Sequence, residues 1–227
     1  MNDFFKNAKD FSLNLKKIDT PSGRFYICGK KMYPSITTIL SLNNKTAIEK
    51  WKNNIGEAEA KRIQDRATNT GTEVHTLMYE AIMNRNYDEF MKKYPKIFKA
   101  VFPWIEKMEP FKMETPLYSD YLGVAGTPDF IGTYNDIPYI VDFKTETKEK
   151  DIIYIENYFL QLNAYSVMVY ECYGLEIKSL KILMMNVSRL QQGHVHEFDF
   201  KTSSKQIVKI HKLAQEFMEQ FVHKVEQ

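Results

Sequence analysis

Residues 124–145 read Val-Ala-Gly-Thr-Pro-Asp-Phe-Ile-Gly-Thr-Tyr-Asn-Asp-Ile-Pro-Tyr-Ile-Val-Asp-Phe-Lys-Thr, and this stretch decides the fold. β-Branched and aromatic side chains crowd 124–133 and 137–143. Tyr134-Asn135-Asp136-Ile137 between them has the composition of a tight turn, so the stretch predicts a β-hairpin. If Asn135 and Asp136 form a two-residue loop, Tyr134 faces Ile137 and the register, carried back, sets Asp129 opposite Asp142. That pair falls at a non-hydrogen-bonded position, where Cα atoms approach to about 4.5 Å. Lys144 lies two residues past Asp142 and shares its face. Pro138 lands where its nitrogen points away from the partner strand, so its missing N–H costs no ladder bond. A loop of three or more residues would break this register.

Two carboxylates held so close repel unless one protonates or a cation bridges them. Hard oxygen ligands on a strand pair suit Mg²⁺ or Mn²⁺. A lysine beside them can hold and help deprotonate a water whose pKa the metal has lowered. The plain alternative is an Asp–Lys surface pair on a hairpin, which contributes little.

Two helices bear on that choice. Thr70-Gly71-Thr72-Glu73 fits a capping box, and Val74, Leu77, Met78, Ala81 and Ile82 follow at helical spacing. This places His75 in a first turn beside the apolar stripe, where a histidine is commonly a packed or solvated residue. Residues 153–172 predict a second helix on which Tyr158, Gln161, Tyr165 and Met168 share a face.

Taken in order, Gly71-Thr72-x-x-His75, Gly126-Thr127-Pro128-Asp129, Asp142-Phe143-Lys144 and Gln161-x-x-x-Tyr165 resemble the motifs of the PD-(D/E)XK nuclease superfamily. Within it the chain is similar to the RecB-type exonuclease branch, which adds the histidine and the Gln-x-x-x-Tyr helix. Tyr33-Pro34-Ser35-Ile36-Thr37-Thr38-Ile39-Leu40 and Trp51 also resemble the N-terminal part of mitochondrial genome-maintenance exonucleases and their phage relatives. The resemblance spans residues 33–188. It implies an α/β, restriction-endonuclease-like core, a central mixed sheet flanked by helices, with a helical N-terminal elaboration. It implies metal ligation by His75, Asp129, Asp142 and the Phe143 carbonyl, a Lys144 that orients the nucleophilic water, and a Gln161 and Tyr165 that position a phosphate. Glu114 is a further acid near the site, whereas Glu80 falls some 140° off the His75 face, as about 100° per residue requires.

The resemblance also implies a cover over the active site formed by the N-terminal third. Tyr33, Trp51, Arg62 and Arg66 would grip a threaded single strand of DNA there, by stacking and charge. Ile48, Trp51 and Ile55 share helical spacing, so Trp51 has a second reading as a core anchor. The implied activity is a Mg²⁺- or Mn²⁺-dependent DNA exonuclease in replication, repair or recombination. The alternatives are a restriction-type endonuclease and a binding module without turnover.

Composition agrees with one nuclease domain over 1–227: an elaboration at 1–67, a catalytic core at 68–202 and a C-terminal helix at 203–227. With 44% hydrophobic residues among 227, the chain can bury a sizeable α/β core. Residues 1–18 are amphipathic and lack the continuous apolar centre of a signal peptide, and no run reaches the length of a membrane span. Cys28 and Cys172 form no CxxC, which points to a reducing intracellular compartment, and two cysteines cannot supply a four-cysteine iron–sulfur cluster; with the phage resemblance, the expected location is the cytoplasm of a bacterial cell or phage-infected host. A net charge of +2 does not announce nucleic acid. Positive charge gathers at Lys6, Lys9, Lys16, Lys17, Lys30 and Lys31, and again at Lys144, Lys148 and Lys150. Any one of these lysines is most simply a solvated surface group.

The expected layout opens on strands at 24–27 and 31–33, a helix capped by Ser35, and helices at 46–66 and from Gly71. A helical region at 88–108 follows, interrupted at Pro95 and Pro103. Strands at 112–118, 124–134 and 137–145 come next, then the Gln161 helix, strands at 178–187 and 194–200, and a helix from Ser203. His194 and His196 are expected to face solvent on an edge strand.

Overall fold

A computed structural model describes residues 2–12, 14–42, 45–147, 152–188 and 193–225, the backbone alone for 45, 47, 152–154 and 222–225; Lys148 and Lys150 lie outside them. Asn135 and Asp136 take positive φ values of 49° and 62°, the pattern of a two-residue type I′ turn. Strands β7 (Phe130–Tyr134) and β8 (Ile137–Glu146) therefore pair from Tyr134·Ile137 to Phe130·Val141, the expected register. Helix α6 (Ile152–Tyr173) then crosses to β9 (Ser179–Asn186), which lies parallel to β8. Antiparallel strands β10 (Val195–Lys201) and β4 (Met108–Met113) close the edges, giving a mixed five-stranded sheet in the order β10-β9-β8-β7-β4.

Helices cover both faces. On β8, Ile140 points to a cluster with α1 (Ile36–Ser41), α6 and α7 (Ser204–Val225). Val141 and Phe143 point to the opposite cluster, with α3 (Glu57–Met83), α4 (Asp88–Lys93) and α5 (Pro95–Ile105). All eight residues of β9 are buried, as a strand sandwiched on both faces must be. Asp142 and Lys144, alternating with Val141 and Phe143, therefore face the α6 side. Asn163 ties the layers together: its amide donates to the Phe159 carbonyl and its oxygen accepts the Ser203 N–H at the start of α7.

Several expectations are corrected. Thr70 caps nothing: α3 is one helix of 27 residues that runs through Gly71, so His75 sits deep within it. Thr70, Gly71 and Thr72 each disfavour a helix by less than about 1 kcal/mol, which cooperative propagation from both sides overrides. The expected boundary at 67/68 thus falls inside α3. The break comes instead at Gly56, φ 87°, between α2 (Lys45–Ile55) and α3. Pro95 starts α5, but Pro103 sits within its last turn without ending it.

The N-terminal elaboration is not purely helical. Residues read as an amphipathic tail supply β1 (Lys16–Thr20), which pairs with β2 (Gly23–Cys28) and through it with β3 (Lys31–Pro34). The expected strand at 112–118 is two strands in different sheets, because the chain turns at Glu114, φ 47°, between β4 and β5 (Leu117–Ser119). β5 pairs with β6 (Val124–Gly126), which is separated from β7 by Thr127-Pro128-Asp129. His194 is exposed as expected. His196, however, lies 3.8 Å from the buried carboxylate of Glu146.

Candidate active site

The ladder between β7 and β8 stops at Phe130·Val141, and the Asp129 side chain takes over from backbone pairing there. Its Oδ2 accepts the Phe143 N–H at 2.6 Å. In an extended strand the N–H and C=O of one residue point to the same edge, so the Phe143 carbonyl also faces this side. Pro128, opposite Phe143 in the continued register, has no N–H to give it.

His75 reaches the same place from α3. Its Nδ1 lies 3.3 Å from Asp129 Oδ1 and 3.7 Å from Glu114 Oε1, and the three residues offer ligand atoms all within 4.8 Å of one another. Glu114 gets there through its left-handed backbone, a conformation that costs a non-glycine residue about 1–3 kcal/mol. Its N–H donates to the Asp129 carbonyl.

Asp142 stands beside this trio and is 1% exposed. Its Oδ2 pairs with Lys144 Nζ, and its Oδ1 accepts Gln161 Nε2 at 3.1 Å. Gln161 also donates to Tyr165 Oη at 2.7 Å, one helical turn along α6. Lys144 Nζ lies 5.0 Å from the centroid of the Tyr158 ring, on the same face of α6. Gly126 completes this wall, since a Cβ there would sit 2.6 Å from Tyr165 Cε1.

Each aspartate has a cation beside it, His75 for Asp129 and Lys144 for Asp142, although, beyond burial, the Asp129 charge still pushes the Asp142 carboxyl up. Burial disfavours charge on His75, but Asp129 and Glu114 outweigh it and raise the imidazole to about 10. Burial pushes the Asp142 carboxyl up, against the pull of the Lys144 ammonium. Burial likewise opposes the charge on Lys144, yet Asp142 and Asp129 hold it in the ammonium form. Burial keeps the Tyr165 phenol protonated, well above its ordinary range.

Of the residues singled out in the sequence, His75, Glu114, Asp129, Asp142, Phe143, Lys144, Gln161 and Tyr165 converge here. Trp51, Arg62 and Arg66 do not join them. Trp51 is half-buried and belongs to none of the core clusters, and Ile48 and Ile55 beside it are 38% and 37% exposed, so the stripe is not a core anchor. Arg62 is exposed and holds Glu59 through two hydrogen bonds. Arg66 lines a separate cavity of about 580 Å³ with Glu146, Tyr94 and Ser188. Tyr33 is buried, and its hydroxyl donates to Asp120. A cavity of about 550 Å³ opens at His75 and Glu114, and its lining includes Lys17 and Arg24. Sequence reasoning assigned those two no role, because it read Lys17 as a solvated group in the amphipathic segment 1–18 and Arg24 only as part of a strand at 24–27.

No protein-family model and no curated protein matches the chain. Among solved structures, it is similar to an alkaline exonuclease from Laribacter hongkongensis, with 13% identity, a TM-score of 0.35, and coverage of 64% of this chain and 71% of that one. The same enzyme in complex with dAMP gives 14% identity and a TM-score of 0.40 over 64% and 71% of the two chains. A phage-related exonuclease from Haemophilus somnus gives 10% identity and a TM-score of 0.39, covering 67% and 82%.

Proposed function

We propose that the chain is a divalent-cation-dependent deoxyribonuclease, an exonuclease on single-stranded DNA serving replication, repair or recombination in a bacterial or phage setting. One observation carries the reading. His75 from α3, Glu114 from the β4–β5 turn and Asp129 from the β6–β7 connection bring an imidazole nitrogen and two carboxylates within 4.8 Å, directly beside the buried Asp142–Lys144 pair. A packed core does not need three acids, a histidine and a lysine in one place, and such a cluster is costly to bury.

The donor set fits Mg²⁺ or Mn²⁺, whose preference is for carboxylate, carbonyl and, for Mn²⁺, imidazole ligands. His75, Asp129 and Glu114 would hold the ion, with Asp142 and the Phe143 carbonyl adjoining. A bound cation supplies Lewis-acid charge and acidifies a water. The chain does the rest. The Lys144 ammonium, kept charged by Asp142, donates hydrogen bonds that fix the attacking water against the scissile phosphate. Gln161 gives its two amide hydrogens to Asp142 and Tyr165, so it holds both in place and orients the Tyr165 O–H to donate to a phosphate oxygen. The cover formed by α2 and the exposed first half of α3, with Trp51, Arg62 and Arg66, guides the strand toward this site.

Exonucleolytic action requires a free end. Linear end-labelled single strands should be degraded with Mg²⁺ or Mn²⁺ while covalently closed single-stranded circles survive. Efficient cutting of circles would identify an endonuclease instead. Tight binding with no cutting in either cation would identify a binding module.

A further inference from the structure

The three-stranded N-terminal sheet is held against the active site by one of its own side chains. Tyr26 on β2 is 3% exposed, and its hydroxyl shares a hydrogen bond of 3.0 Å with Thr127, two residues before Asp129. Alternation along β2 puts Arg24 on the same face as Tyr26. The register of β1 with β2 sets Lys17 directly across from Tyr26 and Asp19 across from Arg24, so all four side chains share that face. Fixing Tyr26 therefore aims Lys17 and Arg24 at the active-site cavity, and both line it, opposite His75 and Glu114. The remaining lining from α3 is rich in hydroxyls, from Thr72, Thr76 and Tyr79.

Two cations and the hydroxyls of Thr72 and Tyr79 around about 550 Å³ are the chemistry of a phosphate site, while the Thr76 hydroxyl donates to the Thr72 carbonyl. Glu114, the one carboxylate in the lining, repels a bare anion, so an anion in this cavity sits toward Lys17 and Arg24. Arg24 also pairs with Asp19 through Nε at 2.9 Å, which leaves its terminal guanidinium nitrogens to donate to a phosphate. We propose that Lys17 and Arg24 grip the backbone phosphate adjacent to the scissile one, so that the β1–β2 face is a substrate-positioning surface for a nucleic-acid strand. This rests on the nuclease reading above and adds to it the residues that hold the strand.

The test is oligo(dT) binding by the full chain in EDTA, titrated with salt, alongside its cleavage with Mg²⁺ or Mn²⁺. Each phosphate contact removed lowers the slope of log K against log salt by about 0.7 for single strands. Lys17→Ala with Arg24→Ala should therefore lower it by about 0.7, for the one phosphate that both groups hold, and weaken low-salt binding on the order of tenfold or more. Arg24→Lys, which keeps the charge, should retain the slope that Arg24→Ala loses. Lys31→Ala removes a cation from the same sheet, one that pairs with Asp120 away from the cavity, and should leave the slope unchanged. Unchanged melting temperatures show that the sheet still folds. Wild-type slopes in the double variant, from a protein that still cuts DNA, would overturn this grip and leave the nuclease reading standing. A wild-type chain that neither binds nor cuts would overturn both, and an equal loss of slope in Lys31→Ala would reduce the effect to net charge and also overturn it.

Discussion

At the scale of single residues, the site is a set of acids and bases each held by a named partner. Asp142→Ala removes the counter-charge of Lys144 and the anchor of Gln161, and Lys144→Ala removes the group that holds the water. Each should lower turnover by about two to four powers of ten, read as kcat on a linear single strand, with the melting temperature reported alongside. The histidine gives a pH signature in the absence of added cation. His75 is raised from its ordinary 6.5 to about 10 by Asp129 and Glu114. Its contribution to stability is thus fully present below pH 6.5 and is lost as pH rises through about 10. The metal-free protein should lose melting temperature between neutral and alkaline pH, and His75→Gln should flatten that part of the profile. A profile identical in the two proteins would show that His75 is uncharged in the folded state. Asp129, Asp142, Lys144 and His75 were all legible in the sequence because each sits in a short motif with fixed spacing. Glu114 was only marginally so, since what brings it in is a positive φ that no local pattern announces.

Among elements, the hairpin was the most legible part, because turn composition and strand composition agree and a two-residue loop leaves a single register. The capping box at Thr70 misled because a local signal for a helix start was overridden by cooperative propagation along α3, whose first half is largely exposed. The first strand was hidden by the lysines of Lys16-Lys17-Ile18, which suit an edge strand and an amphipathic tail equally. Packing between elements also explains the Gly of Gly126-Thr127-Pro128-Asp129, which the sequence could show only as part of a motif. A methyl at Gly126 would meet Tyr165 at 2.6 Å and Ile36 at 3.2 Å, and the Tyr165 hydroxyl is already engaged by Gln161. Gly126→Ala should therefore cost about 1–3 kcal/mol in denaturant unfolding and displace the Gln161–Tyr165 pair. On α2, the exposure of Ile48 and Ile55 argues against a core role for Trp51. Trp51→Ala should leave the melting temperature nearly unchanged and weaken single-strand binding by about 1–3 kcal/mol, the worth of one stacked base. A loss of core magnitude, about 3–5 kcal/mol of stability, would contradict that.

For the whole molecule, two packed layers on one mixed sheet hold the site at the end of the β7–β8 ladder, with α3 on one face and α6 on the other. Cation binding should therefore stabilise the entire fold. At a hundredfold excess over Kd, Mg²⁺ or Mn²⁺ should add about 2.7 kcal/mol, visible as a rise in melting temperature. His75→Ala should reduce that rise more than His194→Ala does, since His194 is exposed just before the edge strand β10 and remote in sequence from the trio. Among the described residues no helix is long and apolar enough to cross a membrane. The most direct measurement is the degradation of an end-labelled linear single strand by purified wild-type and Asp142→Ala proteins, each with Mg²⁺ or Mn²⁺ and each in EDTA. Wild-type protein should release labelled nucleotides only with the cation, and the variant should be nearly inert in every condition. Degradation by Asp142→Ala at the wild-type rate, or by wild type undiminished in EDTA, would contradict the assignment of this site as a cation-dependent nuclease.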